Sequence, residues 1–181
     1  MIDDKIQNEL DSLGLSLPKQ LRTSSNVKTP PTWIRIRGDK AYISGHGPQN
    51  PDGSIAGLFG KVVEFPTLSS SPSTKELSIE QGYISAKLAA LSILGNLKRK
   101  LGNLDKITAW LQVRVMINTV PGFTQTTFVA DGFSDLVIKL YGPERGLHAR
   151  SAIGVQALPM DLPVIIDALV EIEKDDIQYN R

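Results

Sequence analysis

Apolar and polar positions run along this chain in two periods, and each change of period marks an element. Ile107–Asn118 alternates without a break. Ile107, Ala109, Leu111, Val113, Val115 and Ile117 share one parity. Thr108, Trp110, Gln112, Arg114, Met116 and Asn118 share the other. A period of two over this length predicts a β-strand with its first set buried beneath helices. Residues 164–172 repeat the pattern, with Val164, Ile166, Ala168, Val170 and Ile172 inward and Ile165, Asp167, Leu169 and Glu171 on the opposite face. Residues 148–159 read as a third strand. Ala149, Ser151, Ile153, Val155 and Ala157 are the small or apolar set and are expected beneath the helices. His148, Arg150, Ala152, Gly154 and Gln156 fall on the other face. Residues 33–37 and 40–44 predict a hairpin turning at Gly38 and Asp39, and residues 58–65 an irregular strand.

Helical spacing appears in three places. Ile2, Ile6, Leu10 and Leu13 share one face of a short amphipathic helix over 2–13, stopped by Gly14. Ser78 and Gln81 form a capping box opening a helix that runs to about Leu101. Ile79, Tyr83, Ala86, Ala90, Leu94 and Leu97 make its apolar stripe, and Lys98, Arg99 and Lys100 suit the negative end of its dipole. Residues 123–141 predict a further helix with Phe123, Ala130, Val137 and Tyr141 as its core stripe, ended by Gly142 and Pro143. Gly132 within it costs up to about 1 kcal/mol relative to alanine and implies close packing or an irregularity. Residues 66–77, with two prolines and a serine run, read as a surface excursion. The tail from 174 to 181 reads as frayed.

The resulting order is hairpin, helix, strand, helix, strand, strand. It predicts an α+β fold, a mixed and mostly antiparallel sheet with two long helices on one face. One domain is expected, with an N-terminal helix and extension over 1–30, a core over 33–173 and a tail. The sheet's uncovered face mixes Trp110, Met116, Ile165 and Leu169 with Arg114, Arg150, Gln156 and Asp167. Such a mixture suits a subunit interface better than bulk solvent.

Composition narrows the chemistry. At 181 residues with 41% hydrophobic and 22% charged positions, the chain is long enough to bury a core and is of ordinary globular type. A formal charge of +1 supplies no general attraction to nucleic acid, so nucleic acid is not an expected partner. There are no cysteines and only two histidines, which removes disulfide and thiolate chemistry and leaves no metal site or cofactor to expect. No apolar run reaches membrane-spanning length and the first residues lack a secretory core, so the expected location is cytoplasmic, with no membrane partner.

Arg150 is the leading candidate. An arginine flanked by small residues on a strand presents a planar fork to a carboxylate. The competing reading is an ion pair with Asp167 or Glu171 on the adjacent strand. Ser44, Gly45 and His46 follow the second strand, where a backbone amide can meet a carbonyl or carboxylate oxygen. His46 and His148 are candidate acid–base groups at neutral pH, weighed against the many loop histidines without a catalytic role. Gly45, His46 and Gly47 are not followed by the helix a phosphate loop needs.

The run Ala149-Arg150-Ser151, then Leu158-Pro159, then a valine-rich strand ending in Asp167-Ala168, resembles the C-terminal signature of the YjgF/RidA family of reactive-intermediate deaminases, also called endoribonuclease L-PSP. Ala41 to Gly45, followed by Asn50-Pro51-Asp52-Gly53, is similar to the family's N-terminal segment. The resemblance implies a chorismate-mutase-like fold, a homotrimer and ligand clefts between subunits. It implies hydrolysis of an imine or enamine to a ketone and ammonia, with Arg150 binding the substrate carboxylate and backbone groups near Gly45 and Ala149 positioning water. Thr127 and Asn118 fall near cleft-lining segments. The family's water-activating glutamate corresponds to Ile165, which cannot accept a proton, leaving Asp167 as the catalytic carboxylate to consider. Pro30-Pro31-Thr32 replaces the family's Tyr-Ser-Gln segment. Both departures favour the alternative of a trimer that binds a small carboxylate, an imino or keto acid, without chemistry. Endoribonuclease activity is the third reading.

Overall fold

The computed structural model describes residues 4–22, 29–66 and 75–174. Ile2, the polar stretch through Asn26, the middle of the 66–77 excursion and nearly all of the tail lie outside the described residues. The first helix, α1 (Lys5–Ser12), is shorter than the periodicity predicts. Ile6 and Leu10 are buried, whereas Leu13 lies beyond the last turn and is exposed.

The hairpin forms as expected from β1 (Ile34–Arg37) and β2 (Lys40–His46), with Gly38 at φ +59° in the turn. The irregular strand predicted over 58–65 reduces to β3 (Lys61–Val62), which pairs in parallel with β4 (Glu76–Leu77) at the far end of the excursion. Helix α2 (Ile79–Leu101) opens on the capping box: Gln81 N–H donates to Ser78 Oγ, and Ser78 N–H donates to Gln81 Oε1. Then come β5 (Ile107–Asn118), helix α3 (Thr126–Gly146), β6 (Ala149–Val155) and β7 (Val164–Ile172).

The five long strands form one sheet in the order β1-β2-β7-β5-β6. Only β5 and β6, joined through α3, run parallel; the other neighbours are antiparallel. Helices α2 and α3 pack on each other and on one face. The α+β layout is therefore as the pattern predicts. Among the described residues, no helix is long and apolar enough to cross a membrane.

Three local expectations change. Helix α3 starts later, leaving Phe123 in the loop, and its axis breaks at Gly142 (φ 71°, ψ 174°) before one further turn. That turn persists because Arg145 donates to the carbonyls of Ile107 and Asp105 and lies over the Tyr141 ring. In β5, register shifts on either side of Trp110 break the strict alternation. Trp110 consequently turns under the helices, 1% exposed, with its ring edge-on to Phe133 and Tyr141. In β6 the parity is the reverse of the one expected. Arg150 and Ala152 face α3, while Ala149, Ser151 and Ile153 are exposed. β6 is an edge strand, so little sheet lies beyond it to bury its apolar set. A helix side chain reaching for Arg150 decides which face turns inward.

Gly132 is explained by close packing. A Cβ built there would lie 2.0 Å from the Tyr83 carbonyl oxygen of α2, too close for any real contact. Gly132→Ala is therefore expected to lower unfolding free energy by about 1–3 kcal/mol through overpacking, against its helix propensity. Urea denaturation of the two proteins measures it, and a stabilised variant would show that the helices separate at no cost.

Candidate functional site

The expected site residues fall into two groups. The first lies where β2 loses register with β7. Ile43 pairs with Ala168 and His46 with Ile166, so Ser44 and Gly45 together oppose Asp167. This is a bulge, and bulges re-aim side chains at the ends of strands. Ser44 is already committed: its amide donates to the Trp33 carbonyl at 3.0 Å and its hydroxyl to the Thr32 carbonyl at 2.8 Å. Its N–H is thus not the free donor that a ligand oxygen needs. A Cβ on Gly45 would come within 2.7 Å of Ile165 Cγ2, so only glycine fits under that side chain. Asp167 receives Arg114 Nε at 3.2 Å from the adjacent strand, and Glu171 receives Lys40 at 2.9 Å and Thr108 at 3.0 Å.

His46 turns the other way, beneath α2, and is 2% exposed. Its Nδ1 lies 2.6 Å from the Ser44 carbonyl, which can only accept, so Nδ1 carries the proton. Nε2 then accepts from Asn96 Nδ2 at 2.9 Å, and Asn96 Oδ1 accepts from Arg99. Burial, with Arg99 nearby and against the Ser44 hydrogen bond, pushes its pKa down to about 4. The expectation of a neutral-pH acid or base at His46 is corrected: the ring is a neutral structural hub. It does edge a cavity of about 180 Å³, together with Trp33, Gln49, Asn96, Met160, Leu162 and Ile165. Met160 lines it from a turn in which Met160 and Asp161 are successive left-handed residues, φ +57° and +55°. Strain of this kind costs on the order of 1–3 kcal/mol per residue. It is held by Asn118, fully buried, which donates to Asp161 Oδ1 at 2.8 Å and accepts from Lys61.

A pH dependence follows from His46. An unfolded histidine titrates near 6.5, whereas the folded one stays neutral to about 4. The unfolded chain therefore takes up a proton that the folded chain refuses as pH falls through this window. Stability is complete above about pH 6.5 and declines by on the order of 3 kcal/mol towards pH 4. His148, also lowered by burial, acts in the same direction. Urea unfolding of wild type and His46→Gln from pH 7.5 to 4.5 tests this. A flatter profile is expected in the variant, and an unchanged slope would remove His46 from the account.

The second group surrounds Arg150. Its Nη1 donates to Asp131 Oδ1 at 2.8 Å and to Ser134 Oγ at 2.9 Å, both on α3. The alternative partners Asp167 and Glu171 are excluded by topology, because β6 borders β5 and not β7. Ser134 Oγ lies 3.0 Å from His148 Nε2, and His148 Nδ1 lies 2.7 Å from the Gly146 carbonyl. The hydrogen bonds thus run in one direction: arginine to serine, serine to a neutral imidazole, imidazole to backbone. The Arg150 side chain keeps 19% exposure and Asp131 41%. Thr127 is exposed on the first turn of α3. Its neighbour Thr126 is the residue that touches β6, donating to the Ala152 carbonyl at 3.1 Å.

Two strands, β7 and β5, separate the groups. At about 4.8 Å per strand, β2 and β6 stand roughly 14 Å apart, and the Arg150 guanidinium faces α3 whereas Ser44 and Asp167 lie on the uncovered face. Asp131 and Ser134 escaped the sequence reading, because their spacing of three marks one helix face but cannot say which strand that face meets. Among the described residues, no group of three or more histidines or carboxylates could hold a metal ion.

No family model matches the chain. Protein TCP17 of Trypanosoma cruzi is 30% identical over 169 residues, 93% of this chain and 94% of its own length. The solved structure of Atu1372 from Agrobacterium tumefaciens, a protein of unknown function, is 31% identical over 94% of this chain and 95% of its own, with a TM-score of 0.75. An endoribonuclease candidate from Shewanella oneidensis shares the fold at 21% identity and a TM-score of 0.75, covering 93% of this chain and 99% of its own. E. coli TdcF, solved with bound serine, shares it at 16% identity and 0.51, covering 86% and 98%. With relatives matched nearly end to end at 30% and 31% identity, the chain belongs to one family with TCP17 and Atu1372, and it has the fold of the endoribonuclease candidate and of TdcF.

Proposed function

We propose that this protein hydrolyses a reactive 2-imino carboxylate, or its enamine tautomer, to the 2-keto acid and ammonia. Arg150 holds the substrate carboxylate. The observation that carries this reading is the state of its guanidinium: half-buried at a sheet edge and, among the described residues, anchored through Nη1 alone, so that the rest of the fork remains for a ligand. TdcF, which shares the fold, was solved with serine, a small amino carboxylate. Because Gly45 and Arg150 stand on separate strands and separate faces, a ligand meeting both must lie between two copies of the chain. The half-apolar uncovered face, carrying Met116, Ile165 and Leu169, supports the homotrimer that supplies such a cleft. Imines of this class also hydrolyse unaided, so holding the substrate and one water in place is a sufficient task.

A non-catalytic carboxylate binder is the second reading. It is favoured by Ile165, which sits over Gly45 where the family's glutamate is expected. An RNA-cleaving role has less support: on the uncovered face, Lys40 and Arg114 are tied to Glu171 and Asp167. The deciding assay generates an imine in situ by oxidising an α-amino acid and follows keto acid and ammonia release with and without the protein. Acceleration supports the deaminase. Binding of small keto acids without acceleration supports the binder.

A further inference from the structure

Resting on that deaminase reading, we infer that Asp131 is the catalytic carboxylate of this chain, the general base that activates the hydrolytic water beside the substrate held on Arg150. Among the described residues Asp131 is the carboxylate that touches the Arg150 guanidinium, at 2.8 Å through Oδ1. Its Oδ2 has no hydrogen-bond partner among the described residues, and the side chain is 41% exposed, so one oxygen is anchored and the other faces outward. The two other positions available for this task are closed. Ile165 carries no proton acceptor. Asp167 has both oxygens against Arg114 Nε, at 3.3 and 3.2 Å.

The geometry orders the reactants. A substrate carboxylate on the unoccupied edge of Arg150 brings its imine carbon, one bond away, alongside Asp131. A general base acts directly or through one water, and here that water is itself the nucleophile. It adds to the imine carbon as the C=N electron pair moves to nitrogen, and Asp131 takes the released proton. The product is a carbinolamine. The protonated Asp131 then hands its proton to the nitrogen, the C–N bond breaks to release ammonia, and the hydroxyl proton passes to Asp131 as the C=O bond forms; Asp131 gives that proton to the departing ammonia and is a carboxylate again. An iminium ion and one water become a ketone and an ammonium ion, with no oxidant or reductant.

The test is steady-state imine hydrolysis by wild type, Asp131→Asn and Asp131→Glu. Asp131→Asn is expected to lose about 100-fold or more in kcat, with KM unchanged or lower because Arg150 no longer shares a carboxylate. Asp131→Glu is expected to recover part of the rate. If Asp131→Asn keeps kcat within threefold, or raises KM alone, the assignment is overturned and Asp131 merely positions Arg150. Asp131→Ser is read by the same criteria should the asparagine variant fail to assemble. An inactive wild type overturns the deaminase reading and this one together. An active wild type with an active Asp131→Asn overturns only this one.

Discussion

Arg150→Ala is expected to abolish capture of the carboxylate and to lower kcat/KM for imine hydrolysis by about 100-fold, equivalent to about 2.7 kcal/mol of lost transition-state binding. The reason is geometric. Arg150 is the cation that β6 presents against α3, and its planar fork can hold both oxygens of a carboxylate while Nη1 stays on Asp131 and Ser134. Lysine offers a point charge without the fork, so Arg150→Lys is expected to recover little. The fold should tolerate either change. Asp131 is well exposed and can be hydrated when its partner is removed, so the stability cost should stay near 1 kcal/mol. Rates measured beside the melting temperature and the assembly size separate the two effects. A variant that keeps its rate would show that the carboxylate binds elsewhere.

Trp110→Ala is expected to lower unfolding free energy by about 3–5 kcal/mol, the largest stability effect of a single truncation proposed for this chain. The indole is fully buried between β5 and the two helices, against Phe133 and Tyr141 at 5.4 and 6.0 Å. Removing it leaves a cavity that neighbouring elements cannot close, since α3 is pinned to α2 by the Gly132 contact with Tyr83. Trp110→Phe should cost far less. The indole N–H has no acceptor among the described residues, so no hydrogen bond is lost and most of the aromatic contact survives. Urea denaturation of the three proteins gives the order directly. Equal losses for alanine and phenylalanine would mean that the N–H, and not the ring, stabilises the core.

These predictions depend unequally on what the sequence disclosed. Arg150, Gly45 and Gly132 were marked by residue type alone: a cation among small neighbours, a glycine after a strand, a glycine inside a helix. Trp110 was placed on the wrong face, because strict alternation cannot register the two bulges that rotate β5. His46 was marked as a titratable group, but its neutrality comes from Asn96 and α2, some fifty positions away in the chain. The ion pair the strand pattern offers Arg150, with Asp167 or Glu171, is replaced by one with Asp131, because strands consecutive in sequence are not neighbours in the sheet.

By itself the sequence determined the element types, the capping box of α2, the buried alternation of β7, the α+β class and the resemblance to the family. All of these are written in local spacing, where each residue's neighbours along the chain carry the signal. Tertiary structure decided strand order, the inward turn of Arg150, the Asp131 and Ser134 partners, and the separation of Gly45 from Arg150 by two strands. These are contacts between segments far apart in sequence, and packing chooses them only when the helices close over the sheet.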